Sequence, residues 1–507
     1  MKRLIYFALF LSFVTSGHSQ SPGGVSSGLV TWLKAGSGTD GNSDGDIISY
    51  WNDQGLLLNN ASQTNDSAKP LFYKSMLNGN PVIQFNGGEK FLNLDLSSIS
   101  NSQYTVITVL KRNSSASNQY VMGVQQVTPA GMQFGYRLNN SMRLFDNGLS
   151  SDNTVLPYAA DSEVPVIMTA SLSSTAGRRL TEVRNGATRT ASNANTSPMT
   201  FTGMGAIGRG NSTTGLQGYI AEIIVFNRPL TSTETRQIQT YLSVKYSLTI
   251  PTANHLYFAY SAFPCDMIAL GRDLAGQGFV QSEGNSESSD NILKVYDPSD
   301  LNDGEYWVAG NNNGAQTFSP VTFPDCAYLT QFNRVWRVRE TGNVGTVDLR
   351  VKIDGLSSTP ESVYLLLDRN NNGYNDETPI QGVYNAPYLT FENVVIRNGY
   401  RITFVERTTS WYAVANGNAS DAIWSSTPGG APQAITSWCN GIDITIPSGI
   451  QVTGNNSISC RNFVIEAGGI FTHSSGTLSV GQRFECNGLY QYGAGVVQLI
   501  GTVNQSI

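Results

Sequence analysis

The stretch GYIAEIIVFNRPLTSTETRQIQTYLSVKYSLTI, Gly218 to Ile250, constrains the fold of this chain more than any other. Ala221 to Phe226 is apolar except for Glu222, which reads as a strand buried on both faces. Asn227-Arg228-Pro229 stops it, since proline offers no N–H to a sheet ladder. Thr231 and Glu234 then have the spacing of a capping box, in which each side chain takes up a backbone N–H that the helix start leaves unpaired. Ile238, Tyr241 and Leu242, flanked by Lys245, recur at helical spacing, so the segment predicts one amphipathic helix in a β-rich chain. It reads as the lid of a β-sandwich and not as an active site.

Two earlier stretches belong with it: GLVTWLKAGSGTDGNSDGDIISYWNDQG at Gly28 to Gly55 and NGNPVIQFNGGEKFL at Asn78 to Leu92. Together the three resemble the laminin-G-like, concanavalin A-like jelly-roll domain of large secreted bacterial proteins, with Trp32, Trp51 and Phe85 at that family's aromatic positions. The resemblance implies an all-β chain with a jelly-roll sandwich over residues 20–250. One fold hosts many activities, so it does not fix a ligand.

Beyond Pro251 the phrases IALGRDLAGQG from Ile268, YWVAGNNNG from Tyr306 and RVWRVRETGNVGTVDLRVKI from Arg334 are similar to a β-rich domain of unknown function that follows such jelly rolls. This second, sandwich-like region is expected over 251–407. Within it Val347, Leu349, Val351 and Ile353 alternate with Asp348, Arg350 and Lys352, as a strand with one buried face does. Through Gly342-Asn343-Val344-Gly345 that strand is expected to form a hairpin with Phe332 to Arg339.

From Thr408 short apolar runs are punctuated by glycine. Gly468 with Gly488 and Ile470 with Tyr490 give a period near 20, which suits successive coils of a β-solenoid over 408–507. WYAVANGNASDAIWSS, TIPSGIQVTGN and GAGVVQLIGT resemble solenoid-like passages of the same proteins, which include surface proteins of the type IX secretion class. Val496 to Ile507 stop in mid-pattern without that class's terminal sorting domain, so the chain is expected to be the front part of a longer protein.

Residues 1–19 read as a secretory signal, with Lys2 and Arg3 before the apolar run Leu4 to Val14 and small Gly17 and Ser19 before a cut. That run is too short to span a membrane well and no later run is long enough, so a secreted, extracellular or cell-surface protein without a transmembrane span is expected. Removing those two cations takes the formal charge from −6 to −8, which argues against nucleic acid as a partner. Disulfides are permitted outside the cytoplasm. Cys265 and Cys326 share the middle region, while Cys439, Cys460 and Cys486 leave one over, and spacing does not decide the pairing.

The mature chain has only His255 and His473, in different regions, and no HExxH or P-loop motif. A glycosidase needs two carboxylates, yet Glu222 and Glu89 have no acid at i+2 and read as edge or turn residues. Two loops have calcium-like spacing. Asp368, Asn370, Asn372 and Asp376 stand at positions 1, 3, 5 and 9 with Gly373 at 6, although Pro379 replaces the usual glutamate at 12. Asp40, Asn42 and Asp44 open a second such loop, with Trp51 at position 12. Calcium is the expected cofactor, with ordinary turns as the alternative. Trp32, Trp51 and Trp336 lie in strands and are expected in the core.

Following the resemblance, the expected function is non-catalytic binding of extracellular glycans or surface proteins in adhesion. An accessory module of a polysaccharide-degrading enzyme, or a structural spacer, are the alternatives.

Overall fold

The computed structural model describes residues 21–501 other than 101–102, 116, 125–131, 138–141, 146–160, 174–177, 194–203, 211–213, 275–278, 287–291, 322–327, 358–359 and 436. The signal segment 1–19 and Cys326 lie outside the described residues. The chain is nearly all β and divides into two compact units, one holding the residues up to Gly310 with Arg339–Val347, the other Asn311–Val338 with Asp348–Ile507.

The first unit is built on a sandwich of two antiparallel sheets. One runs in the order Ala187–Asn193, Arg178–Arg184, Pro165–Ser173, Tyr104–Arg112, Gln217–Phe226, Asn80–Asn86, Leu71–Leu77, with Leu29–Lys34 also on the Gln217–Phe226 strand. The facing sheet places Gln119–Val124, Met204–Ile207 and Leu92–Asp95 at its centre. Trp51, Phe85, Tyr104, Phe134 and Tyr136 fill the space between them. Trp32 and Trp51 are fully buried, as their place in strands predicts.

The closing strand Gln217–Phe226 is central rather than peripheral: Tyr104–Arg112 lies on one side, and Asn80–Asn86 then Leu29–Lys34 on the other. Its register against Tyr104–Arg112 slips between Ile220 and Glu222. That extra residue changes the parity of the strand. Ile220 faces the sandwich core before the bulge and Ile223 and Val225 face it afterwards, so Glu222 turns to the opposite face. Without the slip a carboxylate would enter the apolar core.

That opposite face is covered by the helix α1, Ser232–Tyr246. Its capping box forms as the sequence predicts, with Thr231 accepting from the Glu234 N–H and Glu234 accepting from the Thr231 N–H. Ser247 ends the helix in the left-handed region, with φ 48°. The helix is not simply amphipathic, since every residue from Ile238 to Tyr246 is buried. The strand Cys265–Arg272 packs on its other side and accounts for this.

In the second unit Arg401–Arg407 is paired by Trp336–Thr341, Tyr328–Phe332 and Val363–Asp368. The strand Val347–Lys352 instead neighbours Tyr388–Val394 in a different sheet. The hairpin expected from Phe332 to Ile353 is therefore corrected to a crossing from one sheet to another. Alternation correctly gives the buried face of Val347, Leu349 and Val351, but it carries no information about which strand supplies the hydrogen bonds. Trp336 is in the core, stacked near Phe332 and edge-on to Phe404.

A β-solenoid of about three turns completes this unit. Asp443–Ile446, Ile458–Ile465, Thr477–Cys486 and Val496–Leu499 stack in parallel on one face, and Gln451–Gly454, Ile470–His473 and Leu489–Tyr492 on another. The rungs repeat mostly at 19, for example Gln451 with Ile470 and Ile470 with Leu489. A slip between Cys460 and Asn462 lengthens one rung, so Phe463 pairs with Phe484. The period near 20 averages these two spacings, and Tyr490 pairs with Phe471, not Ile470. The inward Phe463 and Phe484 rings stack at 5.9 Å and 4°. Among the described residues no helix is long and apolar enough to cross a membrane.

Candidate functional site

Two buried carboxylates of the first unit have opposite surroundings. Glu222 is fully buried beneath the helix α1 and is met by four donors: Trp32 Nε1 at 2.6 Å, Tyr241 OH at 2.8 Å, Tyr246 OH at 2.8 Å and Lys245 Nζ at 2.7 Å. Burial by itself raises a carboxyl pKa, but Lys245 and these donors outweigh it and hold Glu222 below the usual glutamate range. The helix spacing makes this possible, because positions 241 and 245 share one helical face. Glu222 is thus neither an edge nor a turn residue, as its sequence neighbours imply, but the centre of a satisfied polar network. Glu89 is an exposed turn residue, as expected.

Asp273 follows the strand Cys265–Arg272 and is only 8% exposed. Its Oδ1 accepts from the Leu274 N–H at 3.0 Å and the Tyr306 hydroxyl at 3.2 Å, while its Oδ2 has no hydrogen-bond partner among the described residues. Burial raises its pKa, only partly offset by those two bonds. Around it opens a pocket of about 310 Å³ whose lining includes Tyr241, Tyr257, Phe279 and Tyr306, with Gly23 and Gln237 also at its wall. The Tyr257 and Tyr306 rings stack at 3.8 Å and 13°. Tyr241 and Phe279 meet edge to face at 5.1 Å. His255 Nδ1 accepts the Tyr257 N–H at 3.1 Å, and burial, then Arg236, drives its pKa down to about 3, so it is a neutral support for Tyr257.

Lys34 acts electrostatically on both acids. Its ammonium lies 4.2 Å over the Trp32 ring. Burial lowers its pKa to about 8, with Lys245 adding to the fall and Glu222 and Asp273 opposing it.

The sequence did not single out this pocket, although two of the phrases quoted above contain its acid, Asp273, and its tyrosine, Tyr306. An aspartate three residues beyond the apolar run Met267–Leu270 was the available signal.

The two calcium-like loops differ in how their oxygens are used. Asp40 accepts from the Ser49 N–H at 2.9 Å, Asp44 from the Lys74 N–H at 2.6 Å, and Asn42 Oδ1 from the Ser43 hydroxyl at 3.0 Å. In the other loop Asp376 accepts from Asn370 at 2.9 Å and Asn372 at 3.1 Å, which brings those three exposed side chains together. Asp368 is fully buried, with Arg401 Nη1 at 3.6 Å and neither oxygen hydrogen-bonded among the described residues. Among the described residues no group of three or more His, Cys, Asp or Glu is placed to hold a metal ion.

Cys439 is disulfide-bonded, and the pairing considered for Cys265 with Cys326 falls on a residue, Cys326, that lies outside the described ones.

Residues 234–400 match a family described as a domain of unknown function, DUF8202. The match begins inside the helix α1 and covers less than half of the chain. A search of curated proteins finds no match. Similar solved structures include a Trypanosoma rangeli sialidase in complex with the inhibitor DANA, 15% identical, covering 42% of this chain and 32% of that one, with a TM-score of 0.30. Domain 4 of AbnA, a GH43 extracellular arabinanase from Geobacillus stearothermophilus in complex with arabinotriose, is 14% identical over 34% of this chain and 80% of that one, with a TM-score of 0.27. A GH54 α-L-arabinofuranosidase is 10% identical over 52% and 64%, with a TM-score of 0.31. The chain spans about a third of the length of the sialidase it matches. Likeness this low transfers no activity.

Proposed function

We propose that this is a secreted, non-catalytic surface or matrix protein that binds extracellular glycans in adhesion, and that the Asp273 pocket is where it does so. The observation that carries the reading is the pocket's composition: aromatic walls around a single desolvated carboxylate with one unpartnered oxygen. Aromatic rings stack on the apolar faces of sugars while a few placed polar atoms fix orientation. Hydrolysis of a glycoside needs a second acid. The neighbouring acid Asp303 is held by Arg272 at 2.6 Å, and Glu222 is enclosed by its four donors. The laminin-G-like resemblance and the signal-like segment 1–19 support the extracellular setting and the kinship with type IX secretion proteins.

The full chain on a glycan array is expected to be retained on at least one glycan class without releasing sugar. Tyr257→Ala is expected to weaken that retention about tenfold, the worth of one lost ring contact. Silence across the array would overturn the binding reading, and release of reducing sugar would overturn the non-catalytic one.

We also propose that calcium, where it binds, sits at Asp368, Asn370, Asn372 and Asp376 and not at Asp40, Asn42 and Asp44. The two buried oxygens of Asp368, without hydrogen-bond partners among the described residues, support this, as does the engagement of the other loop's oxygens by the Ser49 and Lys74 backbone N–H groups. When calcium equals its dissociation constant the melting temperature should rise by the equivalent of about 0.4 kcal/mol, and Asp368→Asn should remove the rise. No rise at millimolar calcium would contradict the assignment.

A further inference from the structure

We propose that the Asp273 pocket selects sugars bearing a free, protonated amine, that is, de-N-acetylated amino sugars. This rests on the glycan-binding reading above and names the ligand class of that site.

The Asp273 carboxylate is only half satisfied. Its Oδ1 is occupied by the Leu274 N–H and the Tyr306 hydroxyl, while its Oδ2 is screened from solvent and has no hydrogen-bond partner among the described residues, so a ligand's donor must displace the cover over Oδ2 to reach it. Whatever enters must therefore donate. A sugar hydroxyl supplies a hydrogen bond but leaves a buried negative charge in place. An ammonium group supplies a charge-assisted bond, about twice as strong, and cancels the charge as well. The rings lining the pocket favour the same choice, since the π faces of tyrosine and phenylalanine attract cations. The Gln237 amide at the rim is neutral and suits the remaining sugar hydroxyls.

The charges facing Asp273 are accounted for. Asp303 pushes against it but is engaged by Arg272, and Lys34 draws it toward ionisation from its place over the Trp32 ring. The Tyr306 and Tyr257 hydroxyls stay protonated, because burial raises both. The pocket's volume of about 310 Å³, at the small end for ligand pockets, fits one sugar ring with its amine toward Asp273.

The test is calorimetric titration of the full chain with three oligosaccharides of equal length: a glucosamine oligomer, its N-acetylated counterpart, and a neutral glucose oligomer. At neutral pH the glucosamine oligomer should bind at least about tenfold more tightly than either. Asp273→Asn, which retains the shape of the side chain, should erase that preference. In the unaltered protein the preference should also fade as pH falls and Asp273 takes a proton, while the ligand amine stays charged. Equal binding of all three sugars would overturn the amine assignment and leave the glycan reading standing, whereas binding of none would overturn both. A preference that survives Asp273→Asn would place its source in the chain's overall negative charge and would also overturn the assignment.

Discussion

Glu222 and Asp273 are both buried acids of the same unit, yet the first has a donor for every direction it faces and the second lacks one. Glu222 draws its donors from one helix and one adjacent strand, all fixed by the closing of the sandwich. Asp273 stands at the end of a strand beside an aromatic-lined pocket, and one of its oxygens is buried without a hydrogen-bond partner among the described residues. A buried charge that is fully paired belongs to the frame, because breaking it is costly and nothing is left to bind. A buried charge left half paired weakens the fold slightly and is available to a ligand.

The largest effect that separates the two should come from Glu222→Gln. It leaves Lys245 buried without its counter-charge and should destabilise the first unit by about 3–5 kcal/mol, measured by urea unfolding. A loss below about 1 kcal/mol would show that Glu222 is not the anchor of the network. That loss should be pH-dependent. Glu222 is held below the ordinary glutamate range, so its contribution is present above the unfolded pKa and disappears as pH falls through the folded one; the deficit of Glu222→Gln should shrink below about pH 4. Tyr246→Phe removes one of the four donors and should cost about 1.5–3 kcal/mol, the worth of a hydrogen bond to a charged group. An unchanged unfolding midpoint would mean that water or another donor replaces the hydroxyl.

Much of the frame was legible in the sequence. The Thr231–Glu234 capping box and the buried closing strand are local patterns, and local patterns survive in the structure because nothing distant competes with them. The burial of Trp32, Trp51 and Trp336 follows from their places in strands. Three features were not legible, each for a physical reason. The orientation of Glu222 depends on one extra residue in the strand register, which no period of two reveals. The partner of Val347–Lys352 is set by the packing of two sheets, not by the alternation that marks its buried face. The Asp273 pocket is assembled from residues near positions 241, 257, 279 and 306, and only folding makes them neighbours. The repeat of the solenoid was visible, but its rungs of 19 with one lengthened coil blur into a period near 20.

The smallest expected effect bears most directly on the distinction between frame and site. Asp273 is held above the ordinary aspartate range by burial, so its ionised form weighs against folding at neutral pH, and that penalty is relieved as pH falls toward the unfolded pKa. Urea unfolding of Asp273→Asn beside the unaltered full chain should show the variant more stable at neutral pH by about 0.5–1 kcal/mol, with the difference closing near about pH 4. A variant that is less stable at neutral pH would mean that Asp273 is a satisfied part of the frame like Glu222, and would contradict the account.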